Sequence, residues 1–141
     1  MKYVINIFTK RAKEVSNKKL EEITINASIE HISSDKLINF KDLKTIKFEE
    51  GVKSINSYAL SGLTQLKSIY LAKSLEEINE GVFSECTSLE NVYYYGTPEE
   101  WIILQSSNTY GVRNPMEYAK NFYVLDENSK WVTVKELTIT T

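Results

Sequence analysis

The sequence predicts a strand-dominated α/β solenoid in which each 23-residue unit gives one short strand to a parallel sheet. Two observations carry that prediction. The hexamer Leu43-Lys44-Thr45-Ile46-Lys47-Phe48 returns 23 residues later as Leu66-Lys67-Ser68-Ile69-Tyr70-Leu71. The same step leads back to Leu20-Glu21-Glu22-Ile23-Thr24-Ile25 and forward to Leu89-Glu90-Asn91-Val92-Tyr93-Tyr94. The second half of the unit keeps the period through Ile29/Val52/Leu75, Ile32/Ile55/Ile78, Leu37/Leu60/Phe83 and Phe40/Leu63/Cys86. One such unit buries too little apolar surface to offset the backbone entropy of ordering it, so the units must stack and the ends must be covered.

Within L-x-x-I-x-Φ, where Φ is apolar or aromatic, strand alternation turns positions 1, 4 and 6 to the core and positions 3 and 5 outward. A period of this length opening with L-x-x-L-x-L is the leucine-rich-repeat signature. The ordinary subclass wants Asn or Cys eight residues after the first Leu, where this chain has Ser28, Gly51 and Ser74. The chain instead resembles the BspA-like, or Treponema-type, leucine-rich repeat. The matching residues are Val52-Lys53-Ser54-Ile55 with Tyr58-Ala59-Leu60, and Leu75-Glu76-Glu77-Ile78 with Gly81-Val82-Phe83-Ser84-Glu85-Cys86-Thr87-Ser88-Leu89. The likeness is strongest over Leu43–Gly96 and weaker over Leu20–Asp42. It departs from the family at the Pro after the strand, here Asn26, Glu49 and Ala72, and at the Gly after the second Ile, here Ser33, Asn56 and Asn79. Asn and Ser are themselves turn formers.

The resemblance implies a leucine-rich-repeat solenoid with its sheet on a concave face and capped ends. Short helical turns are expected on the convex side at Asn56–Gly62 and Asn79–Ser84, where Ser57 and Glu80 precede compact Tyr-Ala-Leu and Gly-Val-Phe runs. Three segments follow: a cap strand and basic stretch over 1–19, the repeats over 20–96, and a capping helix with an irregular last repeat and terminal strand over 97–141.

Composition limits function. A chain of 141 residues with 42% hydrophobic content, 5 Gly and 2 Pro is long enough for one domain with a sizeable core. A formal charge of −2 lacks the basic footprint a phosphate backbone needs, so nucleic acid is not an expected partner. A lone cysteine excludes an internal disulfide and a Cys-rich zinc site. Neither a cofactor motif nor a membrane-spanning run is present, so no cofactor and no membrane insertion are expected.

In chain order, the first apolar run, Tyr3–Phe8, is broken by Asn6 and is too short for a signal-peptide core. It is expected as an end strand followed by a short helix or turn. Of the 17 basic and 19 acidic residues, six basic (Lys2, Lys10, Arg11, Lys13, Lys18, Lys19) and one acidic (Glu14) precede Leu20, leaving 11 and 18 in the rest. That basic stretch could meet a membrane surface or polyanion, but a solvated cover over the end of the core accounts for it more simply. The first unit is degenerate, with Lys36-Leu37-Ile38-Asn39-Phe40 in place of A-F-x-x-C, as terminal repeats are. Asn26-Ala27-Ser28 is a glycosylation sequon, meaningful only in a secreted eukaryotic protein. His31 falls at an outward position with no catalytic motif around it, and Cys86 sits in a core slot that Leu63 and Phe40 fill elsewhere.

After Leu89 the pattern runs into Gly96-Thr97-Pro98-Glu99-Glu100-Trp101. Thr97 as N-cap, Pro98 at N1 and Glu100 at N3 predict a helix from Pro98 to about Leu104. Trp101, Ile102 and Leu104 are expected to close the core. As adjacent helical residues, Glu99 and Glu100 do not face each other, which argues against a catalytic pair. A loop over Gln105–Arg113, a turn over Asn114–Lys120, a strand at Asn121–Val124, a turn at Asp126–Lys130 and a strand from Trp131 follow. Lys135-Glu136-Leu137-Thr138-Ile139 then restores the repeat rhythm.

The functional expectation is a non-catalytic protein–protein interaction module whose ligand is another protein. The resemblance implies a bacterial or protist adhesin-like protein, at the cell surface or secreted. The alternative, prompted by the lack of a visible export signal, is a cytoplasmic or phage-type scaffold or regulatory module. The expected binding residues are the outward positions of the strands, Lys47, Tyr70 and Tyr93 at position 5 and Thr45, Ser68 and Asn91 at position 3. Tyr70 beside Tyr93, with Lys47 beside Tyr70, makes an aromatic ladder with a flanking cation.

Overall fold

A computed structural model of the chain describes residues 2–5, 20–25, 29–33, 37–79, 81–106 and 119–134. The basic N-terminal cluster beyond Lys2, the Asn26 sequon, the loop and turn over 107–118 and the rhythm at 135–139 lie outside those residues. In chain order the elements are β1 (Lys2–Ile5), β2 (Glu22–Ile25), β3 (His31–Ile32), β4 (Thr45–Phe48), β5 (Ser54–Ile55), β6 (Ser68–Leu71), β7 (Glu77–Ile78), β8 (Asn91–Tyr94), α1 (Pro98–Ser106), β9 (Asn121–Leu125) and β10 (Trp131–Thr133).

Every L-x-x-I-x-Φ segment is a strand of one seven-stranded sheet, ordered β1-β2-β4-β6-β8-β9-β10. The repeat sets the register: Glu22 pairs with Thr45, Thr45 with Ser68 and Ser68 with Asn91. At each strand entry one carbonyl accepts two N–H groups from the next unit. Glu21 O takes Lys44 and Thr45, Lys44 O takes Lys67 and Ser68, and Lys67 O takes Glu90 and Asn91, all at 2.8–3.0 Å. Units therefore satisfy each other's backbone, which a single unit cannot do alone. Strands β2, β4, β6 and β8 share an alternating burial pattern, with Ile23, Ile46, Ile69 and Val92 fully buried.

A second, three-stranded parallel sheet, β3-β5-β7, was not legible as strands in the sequence. It comes from the I-x-x-I half of the unit, where Ile32, Ile55 and Ile78 point into the core and Glu30 O and Lys53 O repeat the double acceptance. Each of its strands is only two residues long.

The helical turns expected at Asn56–Gly62 and Asn79–Ser84 are instead successive hydrogen-bonded turns. Ala59 N–H donates to Asn56 O, Ser61 N–H to Tyr58 O and Ser84 N–H to Gly81 O. The cause is backbone handedness: Tyr58 (φ 60°) and Gly81 (φ 68°) occupy one position of adjacent units, and Gly62 (φ 79°) and Glu85 (φ 59°) another. A left-handed residue every four positions stops a right-handed helix from propagating.

One continuous core runs from Leu20 to Val124. Cys86 is buried in it, as expected; its thiol donates to Leu60 O over 3.1 Å, and burial pushes its pKa up to about 11. At the C-terminal side the predicted capping box is formed. Thr97 Oγ1 accepts Glu100 N–H at 3.2 Å, and Glu100 Oε1 accepts Thr97 N–H at 3.3 Å. The helix continues to Ser106, so Gln105 belongs to it rather than to a loop. It drives Trp101 (0% exposed) against Tyr94 and Phe122, at 5.2 and 4.5 Å between ring centres, and it buries Leu104. Strand β9 then pairs parallel with β8 at an offset of 30 rather than 23 residues, Asn91 facing Asn121. The hairpin to β10 closes on Asp126, whose carboxylate accepts Asn128 and Lys130 N–H, and β10 is antiparallel, unlike its neighbours. Among the described residues no helix is long and apolar enough to cross a membrane.

Candidate functional site

The outward face of the large sheet carries two rows of side chains. Position 5 of successive strands brings Thr24, Lys47, Tyr70, Tyr93 and Tyr123 into line, and position 3 brings Glu22, Thr45, Ser68, Asn91 and Asn121. All six expected binding residues therefore stand together on this face. Tyr70 and Tyr93 stack at 4.4 Å with 9° between ring planes, and Tyr93 and Tyr123 stack at 4.6 Å with 9°. Lys47 Nζ lies 5.2 Å from the Tyr70 ring centre and 3.3 Å from Glu22 Oε1. In the polar row, Asn121 Nδ2 donates to Asn91 Oδ1 over 3.1 Å.

Three aromatic members were not among the expected residues. Tyr123 continues the ladder; Tyr95, 44% exposed, and Trp131, 37% exposed, meet edge to face at 5.0 Å, and Trp131 also meets Tyr93 at 5.3 Å. Tyr123 was legible in principle, because Phe122-Tyr123-Val124 alternates as Val92-Tyr93-Tyr94 does. The seven extra residues carried by α1 and the segment after it hid the register. Trp131 arrives through the hairpin, across the sheet from Leu125, and no periodicity announces it.

Stacking decides what this surface offers. Both faces of the Tyr93 ring are covered by Tyr70 and Tyr123, so the ladder presents ring edges and hydroxyl ends instead of open faces. Burial, and then the neighbouring Tyr70 and Tyr123, raise the Tyr93 pKa. Beside the ladder lies an open groove of about 470 Å³ lined by the buried Phe48 and Ala72 together with Lys47, Tyr70, Lys73 and Tyr95. The groove exists because Ala72 is small where flanking strands carry Glu49 and Tyr95.

The other candidate groups have structural occupations. His31 Nδ1 is hydrogen-bonded to Ser54 Oγ at 2.6 Å, joining β3 to β5, and Ser54 is only 6% exposed. Glu100 serves the capping box and lies 3.7 Å from Lys73 Nζ. Among the described residues no group of three or more His, Cys, Asp or Glu could hold a metal ion.

The repeating 23-residue register can be set against known families. A model described as the BspA type leucine rich repeat region (6 copies) matches residues 11–107. The chain belongs to the BspA-type leucine-rich-repeat family. No curated protein matches the chain. Among solved structures it is similar to the crystal structure of a leucine rich cell surface protein from Faecalibacterium prausnitzii A2-165, at 30% identity and a TM-score of 0.56. That likeness covers 60% of this chain and 22% of the other, so this chain matches less than a quarter of that protein's length. Within this BspA-type chain, the position that carries Asn or Cys in ordinary leucine-rich repeats still links the units where it is Ser74. Its Oγ donates to Val52 O and accepts Gly51 N–H, both at 2.8 Å.

Proposed function

We propose that the chain is a non-catalytic protein-interaction module, a solenoid that binds a protein ligand on the concave, outward face of its large sheet. The carrying observation is the ladder Tyr70–Tyr93–Tyr123 with Tyr95 and Trp131 packed onto it. Tyrosine and tryptophan supply large contact area at little side-chain entropy cost and are enriched in binding hot spots. Edge-presented hydroxyls between an apolar groove and a row of Thr, Ser and Asn suit a protein surface rather than a small molecule sealed in a pocket. Sheet stabilisation accounts for part of the stacking, at roughly 0.2–1 kcal/mol per cross-strand pair, but gives no reason for Tyr95 and Trp131 to stay exposed. The binding residues are Lys47, Tyr70, Tyr93, Thr45, Ser68 and Asn91, with Tyr95, Tyr123 and Trp131 added. Resemblance to a bacterial cell surface protein supports an adhesin-like role at the surface, with segments 1–19 and 97–141 acting as covers of the repeat core.

The test is capture of a partner, followed by affinity measurement on Tyr70→Ser and Tyr93→Ser beside Tyr58→Ser, a tyrosine 49% exposed on the turns. The sheet variants are expected to lose at least tenfold and Tyr58→Ser little. Full affinity in the sheet variants, with loss on changing Tyr58 or the Lys10 and Arg11 pair, would contradict the assignment.

A further inference from the structure

We infer that the protein ligand crosses this face as an extended, proline-rich segment in the polyproline II conformation, with prolines three residues apart seated on Trp131 and in the groove; the inference rests on the sheet face being the binding surface. The indole is the first receptor. Both faces of the Tyr93 ring are taken by Tyr70 and Tyr123, so Trp131, 5.3 Å from it at 69°, has one of its own faces against the Tyr93 edge. That leaves the opposite indole face to solvent, and Trp131 is 37% exposed. Its strand is β10, yet its ring meets Tyr93 and Tyr95 of β8, so it lies over the strand between them, β9. The groove is the second receptor. It is lined by the buried Phe48 and Ala72 and by Tyr95. The register that pairs Leu71 with Tyr94 puts Ala72, the residue after β6, beside Tyr95, the residue after β8. The two receptors are therefore two strands apart, with Tyr95 between them.

Spacing and electrostatic complementarity choose the occupant. Neighbouring strands about 4.7–4.9 Å apart separate β6 from β9 by about 9.4–9.8 Å. Polyproline II rises about 3.1 Å per residue with three residues per turn, a period of about 9.3 Å. Residues i and i+3 of such a segment, laid across the strands, meet both receptors in step. A β-strand, with same-face side chains about 6.6 Å apart, and an α-helix, at about 5.4 Å per turn, do not. The two cations of the groove are already answered, Lys47 by Glu22 at 3.3 Å and Lys73 by Glu100 at 3.7 Å, and Glu49 has an interaction of its own. Lys47 also covers the side of Tyr70 turned away from Tyr93, so that ring has no face for a planar cation. The complement is an uncharged, compact apolar ring. Proline supplies one, and its preset backbone leaves little entropy to lose on binding. Hydrogen bonding agrees, because a polyproline II segment makes no internal hydrogen bonds and proline lacks the N–H, so the ligand is rich in carbonyl acceptors where the ladder presents tyrosine hydroxyls as donors. Glu50, also in the lining, can accept a backbone N–H from a residue between the prolines. An aromatic-lined groove taking a proline-rich segment is a general mode of peptide recognition.

The test uses the full chain, isotopically labelled, titrated at pH 7 with two peptides of one composition, acetyl-Ala-Pro-Ala-Ala-Pro-Ala-amide and acetyl-Ala-Pro-Ala-Pro-Ala-Ala-amide, while amide and indole N–H chemical shifts are followed. Only the first has its prolines three residues apart. The expected result is saturable shifts at Ala72, Tyr95 and Trp131 with the first peptide, which binds at least fivefold tighter than the second. Trp131→Ala should weaken it at least fivefold, and Ala72→Leu, which fills the groove, should do the same. Tyr58→Ser, on the turns, should change neither affinity. Equal affinity of the two peptides, binding of neither, shifts mapping elsewhere, or full affinity in Trp131→Ala would overturn the inference. Its failure is separable from failure of the broader reading. If Tyr70→Ser and Tyr93→Ser weaken partner binding while neither peptide binds, the sheet face stands and only the form of the ligand is wrong.

Discussion

Replacing Glu85 by glycine is expected to stabilise the protein, although Glu85 is exposed and the change removes a side chain. Glu85 is held at φ 59°, where the equivalent residue of the preceding unit is Gly62 at φ 79°. Left-handed backbone costs a residue with a Cβ roughly 1–2 kcal/mol, and glycine gives back about 0.5–1 kcal/mol through its freer unfolded chain. The net gain is about 0.5–1 kcal/mol. In urea unfolding, at a slope of roughly 1–3 kcal/mol per molar, the midpoint should rise by about 0.3–0.5 M with the slope unchanged. The reciprocal change supplies the control. Gly62→Ala should cost about 0.5–1 kcal/mol, the backbone strain less the same unfolded-chain term, because its added Cβ meets nothing closer than Lys41 Nζ at 3.6 Å. At Gly81 the Cβ would run into the Tyr58 ring, but that ring is half-exposed and can swing, so a similar loss is expected. A neutral or destabilising Glu85→Gly beside a neutral Gly62→Ala would refute the assignment of these paired left-handed positions.

Further outcomes follow from the core and its covers. Phe83, 3% exposed, should cost about 3–5 kcal/mol when truncated to Ala, whereas Lys53→Ala removes only an exposed 3.9 Å contact with Glu30 and should lie within about 0.5 kcal/mol of wild type in the same melts. Trp101→Ala should cost about 3–5 kcal/mol and promote self-association, read by sedimentation, as apolar surface is uncovered. Trp101→Phe should cost far less, since Trp101 Nε1 is buried with no hydrogen-bond partner among the described residues and phenylalanine removes that donor. Stability should fall in alkali. The folded Cys86 thiol titrates near 11 against 9.0 unfolded, so from pH 9 upward the unfolded chain loses its proton first, and roughly 2–3 kcal/mol is lost by pH 11. Tyr94 extends the decline towards pH 12, and Cys86→Ala should remove the earlier part of it.

The sequence made the large sheet legible because its strands repeat a period-2 pattern at constant spacing, so inward Ile46 and Ile69 and outward Lys47 and Tyr70 could be assigned without coordinates. The small sheet escaped because two-residue strands such as Ser54–Ile55 leave no alternation to detect. The turns were misjudged because Tyr58 and Glu85 are ordinary residues in a conformation their identity does not advertise; only Gly81 and Gly62, one unit away in each case, hinted at it. Of the candidate site, the row Lys47–Tyr70–Tyr93 followed from register alone. Tyr123 and Trp131 did not, since the 30-residue step to β9 and the reversal into β10 depend on how the last segment packs and not on the repeat.

Whether the tyrosine ladder is where the protein ligand binds is read out by placing a photoreactive benzoylphenylalanine at Tyr93 in one sample and at Tyr58 in another, then irradiating each with the captured partner. A covalent adduct to the partner is expected from position 93, lost when Tyr95 and Trp131 are also changed to Ser, and none from position 58. Adducts from position 58 with none from 93 would contradict it.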